Sequence, residues 1–88
     1  MMRTVYKLPL VLEPQPEGGY TITCPIWPEL ITEADTVAEV NENVADAIAA
    51  LIDAYQILGR TLPPALMPLA SNGPIWAESL ITVPEAVA

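Results

Sequence analysis

One segment, between residues 36 and 59, constrains the fold of this chain more than any other. Its apolar residues recur three or four positions apart, which is the period of an amphipathic α-helix. Thr36 and Glu39 fit a capping box at the start of the helix, and Gly59 suits the position just beyond its end. Such a helix is about 30 Å long and needs a sheet against its apolar stripe. The predicted stripe consists of Val37, Val40, Val44, Ile48, Leu51, Tyr55 and Leu58.

Three short stretches before the helix predict β-strands: Val5–Leu12, Tyr20–Cys24 and Leu30–Glu33. Residues 13–19 contain two prolines and two glycines, so the first two strands form a hairpin around them. Pro9 cannot donate to a ladder, which predicts either an edge strand or a bulge at this position. In the second strand apolar residues alternate with threonines, which predicts one buried face. That face carries Tyr20, Ile22 and Cys24.

A fourth strand is predicted late in the chain, at about residues 75–83, where two sets of side chains alternate. The pattern leaves open whether this strand pairs within the chain or with a second chain. The order β-β-β-α-β predicts a single α+β domain over residues 1–88, with its core in residues 5–66. In this fold, a three-stranded antiparallel sheet and the late strand pack on one long helix.

The composition indicates self-association. The chain has 88 residues, of which 52% are hydrophobic, against about 45–50% in an average domain. A chain of this size buries only about 60–65% of the surface that its unfolded form exposes. We therefore expect a homo-oligomer, with Trp76 and Leu80 of the late strand as contacts. For Trp76, packing in the chain's own core fits the pattern equally well.

The charge points to a protein partner or to solubility. Eleven acidic residues stand against three basic ones, and the net charge of −8 excludes a phosphate-binding patch. Acidity can keep a hydrophobic protein soluble, or it can attract a basic partner. The predicted contacts for such a partner are Glu39, Glu42 and Asp46 on the exposed side of the helix. Glu29 and Trp27 join them, since flanking prolines are expected to display Trp27 on a rigid loop.

We find no catalytic constellation, metal site or cofactor site. The chain contains no histidine to serve as a base or a metal ligand, and Cys24 is expected to be a small buried hydrophobe. The carboxylates at Glu33 and Asp35, like those along the helix, are expected to be solvated. The sequence therefore predicts a protein that is not an enzyme. It shows no signal peptide and no apolar run of about 18–20 residues, so we expect a cytoplasmic protein that does not enter membranes.

A common family pattern is carried, in chain order, by Tyr6 to Glu13, Gly18-Gly19-Tyr20, residues 25–30, residues 32–39, Asn43, Asp46-Ala47 and residues 59–63. Together these pieces resemble the HicB-type antitoxin family over about residues 5–66. The resemblance implies a partial ribonuclease-H-like fold without catalytic acids, and an assembly into dimers or tetramers. It also implies a partner, a small basic HicA toxin that cleaves mRNA, whose active surface the antitoxin would cover.

The chain departs from the family pattern at three places. Ala34 stands where glycine is common, and Trp27 stands where the family has a smaller aliphatic residue. We also expect a single-domain member, without the DNA-binding domain that follows in operon-repressing relatives. The alternatives are a stand-alone homo-oligomeric scaffold or regulator with no toxin, and a degenerate nuclease. The missing histidine and the lack of an acid cluster on the strands argue against the nuclease.

Overall fold

A three-stranded antiparallel sheet packs against one long helix in the computed structural model, which describes residues 4–66, 68 and 73–84. The sheet order is β1-β2-β3, and both neighbouring pairs run antiparallel. This arrangement confirms the predicted α+β class and the hairpin. The elements are β1 (Val11–Pro14), β2 (Tyr20–Thr23), β3 (Ile31–Ala34), a 3-10 turn (Val37–Glu39) and α1 (Val40–Leu58).

The hairpin between β1 and β2 closes through backbone hydrogen bonds around Gln15. Its N–H donates to the carbonyl of Gly19, and its own carbonyl accepts from Gly18, both at 3.0 Å. Gly18 and Gly19 have φ values of 100° and 77°, a region that side chains with a Cβ rarely enter. Pro14 is tolerated in β1 because this strand lies at the sheet edge.

The sequence predicted the end of the helix correctly, but not the contacts at its start. The predicted capping box does not form: the Thr36 hydroxyl donates to the Glu39 carboxylate at 3.0 Å and accepts no backbone amide. The first turn is a 3-10 turn instead. The predicted end is confirmed, since Gly59 is left-handed and the Arg60 N–H donates to the Tyr55 carbonyl at 2.8 Å.

The core lies between the helix and the inner face of the sheet. Cys24 is 3% exposed, which confirms the predicted buried thiol. Leu58, predicted on the buried stripe, is 67% exposed. Strands of four residues span about 13 Å and cannot cover a helix of about 28 Å, so the last turn is left uncovered. The buried residues are Ile22, Cys24, Trp27, Leu30, Ala34, Val40, Val44, Tyr55 and Leu66.

Two predicted strands differ from the structure. Residues 4–10 lie outside β1 and make one isolated antiparallel bridge, between Tyr6 and Pro68. The fourth strand predicted at 75–83 is not formed, and residues 73–84 are exposed and without regular structure. A strand is formed only where a ladder of backbone hydrogen bonds continues over several residues, and a single bridge at Tyr6 does not make one.

Asn43 joins the helix to the edge strand β3. Its side-chain amide donates to the Glu33 carbonyl at 2.8 Å. The neighbouring Ala34 carbonyl faces β2, since a Cβ built on Gly19 would lie 3.0 Å from its oxygen. Carbonyls alternate in direction along a strand, so the Glu33 carbonyl faces the outer edge of the sheet. Asn43 therefore occupies an acceptor on that edge.

Candidate partner-binding surfaces

Three carboxylates form what we call the acidic stripe: Glu39, Glu42 and Asp46. Glu42 and Asp46 lie four positions apart on α1, and Glu39 ends the 3-10 turn just before α1, three positions from Glu42. All three are exposed. Glu39 accepts the hydroxyl of Thr36. Among the described residues, the ion pair that the structure contains lies elsewhere, between Arg60 and Glu29. The stripe thus presents its negative charge to solvent.

Trp27 does not lie on the surface. The loop of residues 25–30 folds into turns in which the Trp27 N–H donates to the Cys24 carbonyl at 3.1 Å, and the Leu30 N–H donates to the Trp27 carbonyl at 2.9 Å. These bonds direct the indole inward, where it is 0% exposed. The expected display of Trp27 is therefore wrong. The flanking prolines stiffen a loop whose tryptophan belongs to the core.

Four side chains form what we call the Glu29 cluster: Trp27, Glu29, Tyr55 and Arg60. The Trp27 indole N–H donates to the Tyr55 hydroxyl at 3.1 Å, and that hydroxyl donates to the Glu29 carboxylate. The two rings meet edge to face, with centroids 5.7 Å apart at 85°. The Arg60 guanidinium lies 4.4 Å from the Tyr55 ring centroid and 3.3 Å from Glu29 Oε1.

Within this cluster the pKa of Glu29 falls below its ordinary value of 4.5. The main cause is the hydrogen bond from the Tyr55 hydroxyl, which stabilises the carboxylate form. The hydrogen bonds and positive charge of Arg60 act in the same direction. Glu29 therefore stays ionised, and its carboxylate is already paired with Tyr55 and Arg60 of its own chain.

The predicted contacts do not form one continuous site. Tyr55, which holds Glu29, follows Glu42 by 13 positions on α1, a separation of about 20 Å along the helix axis. The stripe lies on the first half of the helix, and Glu29 lies near its end. Sequence reasoning missed Tyr55 and Arg60 as partners of Glu29, because 26 and 31 positions separate them and no local pattern links them.

An apolar groove of about 620 Å³ runs between residues 4–10 and α1. A second cavity of about 760 Å³ shares Tyr6 and Leu8 with it, and is bounded by residues 5–9 and 75–78. Its apolar walls are formed by Tyr6, Leu8 and Leu10 on one side and by Val44, Ile48 and Ile52 on the other.

The segment of residues 73–84 exposes large apolar side chains. Trp76 is 83% exposed and Leu80 is 63% exposed. The alternative placement of Trp76, in the core of its own chain, is therefore wrong for this structure. Ile81 and Val83, on the other side of the alternating pattern, are 74% and 71% exposed. Exposed apolar patches are typical of interaction sites, which makes the segment a candidate contact region.

The described residues contain no group of three or more histidine, cysteine, aspartate or glutamate side chains arranged to hold a metal ion. A search of the same residues for a helix of sufficient length and hydrophobicity to cross a membrane found none.

Comparison with known proteins identifies the family, although no family model matches the sequence. Over 82 residues, or 93% of its length, the chain is 37% identical to Antitoxin HicB of Escherichia coli K12. It belongs to the HicB-like antitoxin family. Antitoxin HicB of Escherichia coli O157:H7 gives the same values. Antitoxin HicB 1 of Photorhabdus laumondii is 39% identical over 49 residues, which cover 56% of this chain and 32% of that protein.

The HicB-like chain spans about half of the curated relatives, 55% of the length of each Escherichia coli protein. Within it, the structure places three features on the surface: the acidic stripe, the groove beside residues 4–10, and the exposed segment 73–84. The stripe is charged, and the other two are apolar. These surfaces are chemically suited to different partners, and we consider them separately below.

Proposed function

We propose that this HicB-like chain is a non-catalytic antitoxin that works by binding a toxin. Its target is a small basic toxin of the HicA type that cleaves mRNA, and it acts by covering the toxin's RNA-binding surface. The curated relatives support this proposal by their name, Antitoxin HicB. The net charge of −8 supports it independently, because an acidic protein competes with RNA for a basic surface.

The acidic stripe is the observation that carries the proposal. Neighbouring members of the stripe have Cβ atoms about 5–6 Å apart on a rigid helix, so their charges are held in a fixed row. Side chains on a helix lose less freedom on binding than side chains on a loop, which makes the row a preorganised surface. A basic groove that binds RNA phosphates would meet several carboxylates here at once. Binding alone inhibits such a toxin, so the role requires no catalysis.

Glu29 and Trp27 have secondary parts in this proposal. Glu29 lies about 20 Å from the stripe along α1 and is paired with Arg60, so it contacts a toxin only at the edge of the interface. Trp27 acts from inside the protein, by holding the loop that carries Glu29. The stripe residues are expected to dominate the rate of association.

We further propose that the chain works as a homo-oligomer, and that residues 75–83 become the fourth strand of the partial ribonuclease-H-like arrangement on assembly. The exposed segment 73–84 supports this part of the proposal. It also supports the second candidate function, a stand-alone homo-oligomeric scaffold or regulator with no toxin. The two functions are distinguished by whether a basic toxin binds the chain.

The test measures binding of a small basic protein of the HicA type, sought first in a gene beside the one for this chain. Association and dissociation rates are compared for the parent, Glu42→Lys, and the control Glu17→Lys, which makes the same charge change on the exposed hairpin loop. We expect Glu42→Lys to slow association about tenfold at low salt and change dissociation less than about twofold. Glu17→Lys should have a much smaller effect, and both effects should shrink as salt is added.

Two results would overturn the proposal or part of it. Equal association rates for Glu42→Lys and Glu17→Lys would show that the stripe is not the contact surface. Failure of the basic protein to bind the parent chain at low salt would exclude the toxin-binding role. An oligomer that persists in that case would favour the scaffold.

A further inference from the structure

The apolar groove and the exposed segment are complementary in length and chemistry. A strand over residues 75–83 spans about 30 Å, and α1, one wall of the groove, spans about 28 Å. One side of the alternating segment carries mostly aliphatic side chains, matching the apolar walls. Lys7 and Glu78, which have opposite charges, line the same cavity at the mouth of the groove. The bridge from Tyr6 to Pro68 shows that the backbone of residues 4–10 can pair with a neighbour.

We propose that the groove binds residues 75–83 of a second copy of this chain, and that the two copies exchange this segment. The exchange gives an isologous pair, in which each chain supplies one groove and one strand. The proposal specifies the self-association proposed above and does not depend on a toxin. The occupant adds a strand beside residues 4–10 and covers the apolar side chains of α1 that the sheet leaves open.

The apolar residues on both sides of the segment favour a second copy over the chain's own segment. Ile75, Ile81 and Val83 lie on one side, and Trp76 and Leu80 lie on the other. A segment folded onto its own groove would bury the first side and leave Trp76 and Leu80 in solvent. Strands with apolar residues on both sides are typical of sheets that are covered on both faces. In an exchanged pair the second side can pack against the other subunit.

The dimensions of the chain also fit an exchange. Its radius of gyration is 15.3 Å, and its extents are 55, 36 and 25 Å. A compact domain of 88 residues has a radius of gyration of about 12 Å. The chain is therefore less compact than a globular domain of its length. Segment 73–84 is exposed throughout, and its residues 75–78 border the cavity that adjoins the groove.

The first experiment measures molar mass by light scattering for two pairs of matched variants. Ile81→Asp alters the segment, and Ile57→Asp is its control, because Ile57 is 78% exposed but lies at the end of α1. Ala49→Glu alters the groove, and Ala50→Glu is its control, because both alanines are exposed on α1 and only Ala49 lines the groove. We expect Ile81→Asp and Ala49→Glu to weaken dimerisation at least about tenfold, while both controls remain dimers. Circular dichroism should show the same helix content in all four.

The second experiment distinguishes exchange from folding within one chain. Heavy-isotope and unlabelled chains, each with a benzophenone photo-crosslinker at position 81, are refolded together and irradiated. Crosslinks from position 81 to residues 4–10 or 44–52 that join heavy to unlabelled peptides confirm the exchange. Crosslinks to these residues that join only peptides of the same isotope label would show that the chain's own segment fills the groove. That result would overturn the exchange. A dimer without crosslinks in the groove would also overturn the exchange, while leaving self-association in place. A monomer at every concentration would overturn both.

Discussion

The Trp27 indole N–H donates to the Tyr55 hydroxyl at 3.1 Å, although 28 positions separate the two residues in the sequence. The contact joins the loop before β3 to the last turns of α1. Both residues are buried, so the indole N–H needs the Tyr55 hydroxyl as its acceptor to avoid being an unpaired donor in the core. Burial places Trp27 among the residues that stabilise the fold, whereas the sequence had suggested a surface contact.

The first prediction concerns the stability that Trp27 provides. Trp27→Ala should lower the free energy of unfolding by about 3–5 kcal/mol, because it leaves a large cavity in the core. Trp27→Phe should cost about 1–2 kcal/mol, since it loses the hydrogen bond to Tyr55 but keeps a ring. The control Leu58→Ala, at a residue 67% exposed, should change less than about 0.5 kcal/mol. Urea denaturation at one fixed protein concentration measures all three, and a loss below 1 kcal/mol for Trp27→Ala would contradict the assignment.

The second prediction concerns acid stability and Glu29. The folded protein holds the pKa of this carboxyl below its ordinary value of 4.5, so the unfolded chain takes up the proton first as the pH falls. The stability that Glu29 contributes is therefore complete above pH 4.5 and is lost as the pH falls through the lower, folded pKa. Glu29→Gln should reduce the loss of stability between neutral and acid pH.

Denaturation midpoints across a pH series test this prediction, with Glu17→Gln as the control. Glu17 lies on the exposed hairpin loop, and its substitution makes the same change of charge. If Glu29→Gln and the parent lose the same free energy of unfolding on acidification, the contacts with Tyr55 and Arg60 do not lower the pKa of the Glu29 carboxyl.

The third prediction concerns the bond between Asn43 and the Glu33 carbonyl. Asn43→Ala should lower the free energy of unfolding by about 0.5–1.5 kcal/mol relative to Asn41→Ala. Asn41 is exposed on the same helix, so the comparison cancels the gain in helix propensity that alanine brings to both positions. Thermal or urea denaturation measures the difference, and equal stabilities would show that the 2.8 Å contact does not stabilise the protein.

The fourth prediction concerns the two adjacent glycines of the hairpin. Gly18→Ala and Gly19→Ala both place a Cβ at positive φ, which costs about 1–2 kcal/mol. Only at Gly19 would the added Cβ lie 3.0 Å from the Ala34 carbonyl oxygen, while Gly18 faces open space. Gly19→Ala should therefore be the more destabilising of the two in urea denaturation. The reverse order would show that β3 moves aside without cost.

Local patterns in the sequence predicted much of the fold. The helical period and Gly59 predicted α1, and alternation with threonine predicted the buried face of β2, where Ile22 and Cys24 are 0% and 3% exposed. The helical period, the helix end and the strand alternation each depend only on residues that are close together in the sequence. The capping box failed because the Thr36 hydroxyl can donate to Glu39 as well as accept an amide, and sequence does not decide between the two.

Non-local contacts account for what the sequence did not predict. The direction of Trp27 depends on Tyr55, 28 positions away, and the ionisation of Glu29 depends on Tyr55 and Arg60. The fourth strand at 75–83 was predicted from its alternation, but a strand also needs an edge to pair with. Its pattern was sufficient to predict an apolar contact segment, and insufficient to identify the chain that it contacts.

The bond from Asn43 to Glu33 has a consequence for how far assembly can proceed. Open strand edges on both sides of a sheet allow chain after chain to add, which leads to filaments and aggregates. Here a side chain occupies an outward acceptor on the β3 edge, while the edge beside residues 4–10 remains available. With that acceptor occupied, the β3 edge is a poorer template for an added strand, which favours a single exchange of strands at the other edge. Such a protein can expose an apolar segment for assembly and still resist growth into fibres.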